Sequence, residues 1–550
     1  MNMPASPLGI DCRDPQQCMA LVAALPLTQP AQVQASLTTL LDGLANDPPP
    51  APSYLQILEM ARPAVAFVQE SAASRYAQRP VVPGSSEEQS LERVVRLWNL
   101  MAKAYAQVAG LGGASPEIQS RLALILHRCV HYAGRRIIEY YVARREVPRG
   151  CWSELFGYYS SAEDWGIGEQ PVAEPLNEFS HSQSCAQALA AVLLADLGNP
   201  YGRSPRELGW LIAWSQRFSV FTDLHAAGEG SDARLYAVDL ARDCGPRPLH
   251  LLAPGPELRH LETTRLTAEM HRVAAQLKSG VSPDALGLGE GAFEPYAGRL
   301  LVSLFRPWCV ASSPRRFQRH AVAAGARAEL CFGFEAIHYF VSGGEFVQPA
   351  HVRMYSRTEF ETIATFGDQV DPKRRLHVQD ARVAYSTETW EVADESVTGF
   401  RLNRPKAGEC IQLGQLLAIR PPGCERFLLC VVSWLMYETA GGLRAGVRVL
   451  PGVPEAVCVR RLGPAVSHSE RYVRAFRLPE MPALREPACL VLPKGWFEPE
   501  RVIDLYVERT LEARLDRLVD QGFDFERISY GLVRRAEALP QEPARARSGR

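Results

Sequence analysis

The stretch "ADESVTGFRL" (residues 393–402) places a carboxylate, a hydroxyl and a glycine where two short strands are expected to meet. It has the form Asp-x-Ser-x-x-Gly, in Asp394, Ser396 and Gly399. A carboxylate accepts hydrogen bonds, a hydroxyl can donate one, and a glycine lets another group approach the backbone closely. These three residues are therefore candidates for a binding site. The structural alternative is that Asp394 and Ser396 only form the turn.

The sequence around this stretch alternates between apolar and polar residues, as half-buried strands do. In "ARAELCFGFEAIHYFV" (326–341) the alternation predicts a strand with Ala328, Leu330, Phe332 and Phe334 on one face. Further short strands punctuated by Gly and Pro follow as "TETWEV", "GFRLNRP", "GQLLAIRPPG", "FLLCVVSWLMY" and "GGLRAGVRVLPG". Several short strands with tight turns favour a small closed barrel.

Arginines gather just before the first of these strands, in "PRRFQRH" (314–320). The formal net charge of the whole chain is −1, so an anion site has to be local. Arg315 and Arg319 lie four residues apart, and an arginine fork can hold a phosphate or the O6/N7 edge of guanine. Nearly all the basic residues are arginines, so the same spacing also recurs at Arg145/Arg149 and at Arg353/Arg357.

Together, the arginine pair and the Asp-x-Ser-x-x-Gly stretch resemble the PilZ family over roughly residues 310–465. The ending also fits, with Trp434 followed by Gly446-Val447-Arg448-Val449, although Val449 stands where the family usually has Phe. The resemblance implies a six-stranded antiparallel β-barrel that binds cyclic di-GMP.

In that family the ligand is held by residues that correspond to Arg315, Arg319, Asp394, Ser396 and Gly399. The separation of 75 positions from Arg319 to Asp394 exceeds the usual family spacing, which implies an insertion at about 342–384. If the barrel began after this insertion, Arg353 and Arg357 would be the ligand loop instead. Thr398, where the family often has a small residue, would narrow the pocket.

The first third of the chain carries apolar residues at three- and four-residue steps, as in "LERVVRLWNLMAKAY" (91–105), which predicts amphipathic helices. The expected fold class is multidomain α+β, with an N-terminal all-α domain, then the PilZ-like barrel and a C-terminal β-rich module. The expected domains are an N-terminal segment with a Pro-rich linker (1–53), an α-helical domain (54–216), a mixed α/β connecting region (217–306), the barrel (307–465), the β-rich module (466–535) and a disordered tail (536–550).

Other patterns point away from several functions. No secretory signal or membrane-length apolar run is apparent, and thirteen cysteines without a C-x-x-C pair indicate reduced thiols in a cytoplasmic protein. His127 and His131 share a helical face, but no second pair completes a zinc site. We therefore expect no metal, no cofactor, no DNA or RNA partner, no membrane insertion and no enzymatic activity. An enzyme with an unrecognised site before residue 300 is the outlying alternative.

The resemblance to the PilZ family implies a bacterial signalling protein that binds cyclic di-GMP. Closing the arginine loop over the ligand would reorient the helical domain, because residues 306–319 are both clamp and hinge. The helical domain would then present a surface to a protein partner. The alternative is a PilZ-like scaffold that binds no ligand and holds a partner in pilus, flagellar or secretion machinery.

Overall fold

A computed structural model of the chain describes residues 10–77, 85–113, 115–227, 232, 235–289, 291–292, 294–310, 319–323, 325–349, 385–406, 408, 410–439, 441–462 and 471–533. Arg315, Arg353 and Arg357 lie outside these residues, as do most of the expected insertion and the expected tail. The chain divides into two compact units. The helical unit comprises residues 1–316, 405–411 and 434–444, and the barrel unit comprises residues 317–404, 412–433 and 445–550.

Helices dominate the helical unit. They are α1 (Pro15–Ala23), α2 (Pro30–Asn46), α3 (Ala51–Ala77), α4 (Ser85–Leu111), α5 (Pro116–Gln119), α6 (Leu122–Val142), α7 (Cys151–Asp164), α8 (Cys185–Leu197), α9 (Pro205–Phe218), α10 (Thr264–Lys278) and α11 (Glu294–Cys309). None of the helices in the described part of the chain is both long enough and apolar enough to cross a bilayer.

Residues 10–50 fold with this unit, whereas the sequence indicated a segment and a linker. Asp14 caps α1 by accepting a hydrogen bond from the backbone N–H of Gln16, and α1 and α2 both begin at a proline. Leu37 and Leu41 of α2 are fully buried in a core shared with α3 and α4. The Pro-rich stretch therefore separates two packed helices, because proline is unfavourable inside a helix but tolerated in its first turn.

Helix α6 is buried nearly all round and joins two apolar cores. Ile125 and Cys129 pack with α3 and α4, while Val130 and Ile137 pack with α7, α8 and α9. The close approach of α6 to α8 depends on Gly134, where a Cβ atom would lie 2.6 Å from Cγ2 of Val192.

The helical unit also contains short strands. These are β1 (Val172–Ala173), β2 (Ser182–Gln183), β3 (Asp223–Ala226), β4 (Tyr236–Asp239), β5 (Arg247–Pro248) and β6 (Leu258–Glu262). Strands β1 and β2 pair as a hairpin ahead of α8, and the others form an antiparallel sheet in the order β3-β6-β4-β5.

Two closed six-stranded antiparallel barrels follow, which confirms the predicted fold class. The strands of the first are β8 (Arg327–Phe332), β9 (Glu388–Ser396), β10 (Gly399–Arg404), β11 (Leu416–Arg420), β12 (Leu428–Tyr437) and β13 (Leu443–Val449). The short β7 (His320–Ala321) pairs with the end of β9, at Glu395 and Asp394, beyond the residues that pair with β8. The ring closes because β9 pairs with both β8 and β10 while β11 pairs with β8.

One strand of this barrel is shorter than its alternation suggests. Strand β8 ends at Phe332, and helix α12 (Phe334–Ser342) begins after Gly333, whose φ of 82° is readily adopted by glycine. Phe334 therefore does not continue the strand. It contacts Phe476 with ring centroids 5.6 Å apart, and Ile337 of the same helix is fully buried in the same core.

The second barrel comprises β14 (Glu455–Arg461), β15 (Val473–Leu478), β16 (Cys489–Pro493), β17 (Val502–Tyr506), β18 (Thr510–Gln521) and β19 (Phe525–Leu532). It therefore begins about ten residues before the boundary that the sequence suggested near 466. Leu416 and Leu429 of the first barrel share a core with Val491 and Phe525 of the second.

Replacing Gly134 with alanine tests the α6–α8 contact. Alanine in a helix is favoured over glycine by about 1 kcal/mol, but overpacking a core costs about 1–3 kcal/mol, so we expect Gly134→Ala to lower the free energy of unfolding. The matched control is Gly157→Ala in α7, where an added Cβ meets nothing within 4 Å, and that change should be stabilising. Urea denaturation followed by far-UV circular dichroism separates the two. Equal stabilisation by both changes would contradict the packing described.

Candidate functional site

Asp394 lies near the end of β9, between two neighbouring strands. On one side β10 places Arg401 directly opposite it, and on the other side β7 places Ala321 opposite it, immediately after Arg319 and His320. Both neighbours therefore bring an arginine to the same carboxylate.

The two arginines divide the oxygens of Asp394 between them. The guanidinium of Arg319 donates to Oδ1, and Nη2 of Arg401 lies 2.7 Å from Oδ2. Asp394 is only 8% exposed, whereas the side chains of Arg319 and Arg401 are 31% and 43% exposed. A carboxylate this buried needs such partners, because desolvating an unpaired charge is strongly unfavourable. The result is a fixed anion flanked by two cations that still face solvent.

Ser396 sits at the tip of the hairpin between β9 and β10. It pairs with Gly399 across a two-residue turn, and its hydroxyl donates to the carbonyl oxygen of Gly399 at 3.2 Å. The Thr398 hydroxyl lies 3.4 Å from that of Ser396, and Val397 between them is 71% exposed. In this arrangement Ser396 stabilises the turn, as the structural alternative proposed, while the exposed tip stays open to solvent.

Gly399 is required by close packing within the barrel. A Cβ atom there would lie 2.3 Å from the carbonyl oxygen of Val447 in β13. The backbone N–H of Val449 also donates to the carbonyl of Thr398, at 3.0 Å. The close approach that the motif suggested is therefore made by a strand of the same barrel.

The structure brings together four of the five residues predicted from the sequence. Arg319, Asp394, Ser396 and Gly399 meet at the β7–β9–β10 edge of the barrel, and Arg315 lies outside the described residues.

Arg401 was not predicted from the sequence, although counting residues outward from a two-residue hairpin turn places it opposite Asp394. A two-residue turn that pairs Ser396 with Gly399 necessarily sets Asp394 opposite Arg401. In the described part of the chain its Nε atom is buried without a hydrogen-bond partner.

His127 and His131, whose spacing raised the question of a zinc site, are packed inside the helical unit. His127 and His131 stack in α6 with ring centroids 6.1 Å apart, and burial lowers the pKa of both. Nε2 of His127 lies 3.1 Å from Oε1 of Gln183. Within the described residues no group of three or more His, Cys, Asp or Glu side chains is placed to hold a metal ion.

Replacing Gly399 with alanine tests the contact with Val447. Because the clash is with a backbone carbonyl and not with a mobile side chain, we expect Gly399→Ala to lower the free energy of unfolding by at least about 1–3 kcal/mol. Gly344→Ala is the control, since Gly344 lies in the same unit with open space around it. Chemical denaturation that left Gly399→Ala as stable as Gly344→Ala would refute this role.

Comparison with known proteins shows similarity at both ends of the chain. Residues 16–228 match a family described as the N-terminal domain of the cyclic-di-GMP receptor FimW, and residues 457–533 match the FimW C-terminal β-barrel domain. The cyclic-di-GMP receptor FimW of Pseudomonas aeruginosa PAO1 is 23% identical over 544 residues, covering 90% of this chain and 87% of the relative. The sequence motifs alone suggested a resemblance to known receptors in the C-terminal half only. The match over residues 16–228 shows that the N-terminal domain is similar as well. The chain is similar to the FimW family in both its helical N-terminal domain and its C-terminal β-barrel domain.

Proposed function

We propose that this chain is a bacterial effector that binds cyclic di-GMP at the β7–β9–β10 edge of its first barrel. The observation that carries the proposal is the meeting of Arg319 with Asp394, two residues 75 positions apart in sequence. Support also comes from the similarity to a protein whose name describes a cyclic-di-GMP receptor. The proposed activity is that of a cytoplasmic receptor without catalysis, so it needs no cofactor and no nucleic-acid partner.

The chemistry of the site suits the two parts of this ligand. Cyclic di-GMP carries two phosphates and two guanines, and an arginine can donate to a phosphate or to guanine O6 and N7. The carboxylate of Asp394 can accept from the N1–H and N2–H edge of guanine, which arginines cannot satisfy. Arg401 joins the proposed set, because its guanidinium is held beside Asp394 and is partly exposed. Arg315, outside the described residues, would add a second cation from the arginine loop.

Binding at Asp394 has to replace a contact made within the barrel. Both oxygens of Asp394 are engaged by arginines, so guanine can reach the carboxylate only if one arginine turns away. Arg319 is the one we expect to move, since it stands before a strand of two residues while Arg401 is inside β10. Its released guanidinium would then take a phosphate or a guanine edge, and the guanine N–H donors would replace the hydrogen bond that Asp394 loses.

The proposed response extends from the site to the chain that follows α11. Residues 306–319 include the last turn of that helix, Arg315 and Arg319. Ligand-driven closure of the arginine loop would change the conformation of this segment, and the helical unit would thereby expose or hide a partner-binding surface.

A second candidate function is a scaffold without ligand. It is favoured by the fact that the barrel itself uses each candidate group: Asp394 is paired, Ser396 donates to Gly399, and Gly399 packs on Val447. Such a chain would hold a protein partner in pilus, flagellar or secretion machinery.

Isothermal titration with cyclic di-GMP tests the binding proposal on the full chain. One charge-assisted hydrogen bond contributes about 1.5–3 kcal/mol, so we expect Arg319→Ala to weaken binding about ten- to a hundredfold. Arg401→Ala should weaken it in the same direction.

The matched control is Arg420→Ala in β11, because Arg420 is also a half-exposed arginine and pairs with Glu329 in the same barrel at 2.5 Å. Unchanged affinity for Arg420→Ala alongside the loss for Arg319→Ala would support the site. Equal affinity in all variants would refute it, and the absence of any binding by the wild type would favour the scaffold.

A further inference from the structure

The helical unit contains a cavity of about 430 Å³ that the dinucleotide proposal does not use. Its walls come from α3, α4, α6 and α9 and from the hairpin loop between β1 and β2. We call it the helical-unit pocket. Much of the lining is apolar, including Ile138, Val142, Leu176, Phe179 and Ile212. A cavity of this size and character is typical of ligand sites in proteins.

One wall of the helical-unit pocket is backed by Trp98, which is only 4% exposed and is held in place by its neighbours. The guanidinium carbon of Arg135 stands 5.3 Å from the ring centroid of Trp98. The indole N–H of Trp98 donates to Glu139 at 3.2 Å, and the Tyr76 hydroxyl donates to the other oxygen of the same carboxylate. Because these contacts are made within the helical unit itself, the protein's own side chains fix the shape of this wall.

The hairpin that forms another wall is anchored by buried charges. Glu174, just after β1, is only 1% exposed. It accepts from Nη2 of Arg62 and from Nη1 of Arg128, each at 2.6 Å. Removing such a carboxylate would leave two buried cations poorly compensated, so the hairpin is strongly fixed. A preformed pocket loses little conformational entropy on binding.

The charge at the pocket is unevenly balanced. Glu174 is compensated by Arg62 and Arg128, and the buried Glu139 lies near Arg135, whose charge lowers the pKa of that carboxyl against the larger effect of burial. Glu70 and Glu178 also line the pocket, are exposed, and form no ion pair with any described residue. The mouth therefore carries two carboxylates that no described residue engages in an ion pair, beside an interior that is mostly apolar and also contains Arg135.

His131 adds a neutral acceptor to this lining. Burial and the nearby arginines keep its pKa well below the ordinary value, so the ring is uncharged near neutral pH. Its edge contacts Tyr132 at a centroid distance of 5.1 Å, and no described residue makes a hydrogen bond to its nitrogens. A neutral imidazole has one nitrogen that accepts, which suits an N–H donor of a bound chain.

We propose that the helical-unit pocket binds a segment of a protein partner that presents an aromatic or aliphatic side chain next to a lysine or arginine. The apolar side chain would lie against Phe179 and Ile212, and the basic one would pair with Glu70 and Glu178. This deepens the proposed function by naming the chemistry of the partner, and its link to signalling rests on that proposal. The binding event itself needs no dinucleotide.

The test uses the full chain and a blocked dipeptide, acetyl-Phe-Lys-amide, followed by ligand-observed NMR titration. A ligand this small is expected to bind with Kd of about 1 mM. The charge-reversed acetyl-Phe-Glu-amide should bind at least tenfold more weakly. Equal binding of the two dipeptides, or binding of neither, would overturn the proposal.

Two variants locate the binding. The double change Glu70→Gln and Glu178→Gln removes the charge at the mouth. It should weaken the binding of acetyl-Phe-Lys-amide about three- to tenfold. Ala213→Trp fills the interior and should abolish binding. The control Glu117→Gln removes an exposed carboxylate at the start of α5, away from the pocket lining, and should change nothing.

The surface variants are expected to fold normally, so the test does not depend on Ala213→Trp remaining native. If the double variant binds the lysine dipeptide as tightly as the wild type, the pocket is not the site. Cyclic di-GMP titrations of the same variants keep the two proposals separate, because pocket substitutions should leave dinucleotide affinity unchanged.

Discussion

The carboxylate of Asp394 is the point on which the candidate site depends. It is almost completely buried, and it is compensated by one arginine from the strand after it and one from the segment before β7. An ion pair of this kind adds little net stability compared with an apolar core, but a buried carboxylate left with no partner would be strongly destabilising. Such a group is therefore well suited to exchange partners, because any replacement for Arg319 has to supply equivalent donors. The guanine edge of a cyclic dinucleotide supplies such donors, so the intramolecular contacts of Asp394 and the proposed binding mode involve the same carboxylate oxygens.

The first barrel, which holds this carboxylate, is a closed ring of strands. Its register fixes which residues lie opposite Asp394. Ser396 pairs with Gly399 across a two-residue turn, and Gly399 lies against the backbone of β13. Together these contacts set Asp394 opposite Arg401. The residues of the motif are thus needed both for the barrel and for the proposed ligand, so a substitution at Gly399 changes stability and the site together. Arg319 is better suited to functional tests, since it contributes charge at the edge of the ring and not to its closure.

Much of the fold could be predicted from the sequence, because strands half-buried in a barrel alternate strictly and helices repeat at three or four residues. The predictions were wrong where a short stretch of sequence is compatible with two kinds of structure. "GFEAIHYFV" alternates well enough for a strand, yet Phe334 and Ile337 also share a helical face, and the glycine at 333 permits the chain to change direction. The prolines near residue 50 suggested a linker, while Leu37 and Leu41 at helical spacing already indicated a packed α2. For the site, Asp394 and Ser396 were visible as a motif and Arg401 followed from the hairpin register. The helical-unit pocket could not be predicted, since Trp98, Glu178 and Ile212 come from three elements that only tertiary packing brings together.

The most direct measurement of the central claim is a crystal structure of the full chain with cyclic di-GMP. The account predicts a guanine with its N1–H and N2–H about 3 Å from the oxygens of Asp394, and the Arg319 guanidinium turned away from that carboxylate onto the ligand. Arg401 should remain beside Asp394. A dinucleotide bound elsewhere, with the Arg319–Asp394 pair intact, would contradict it.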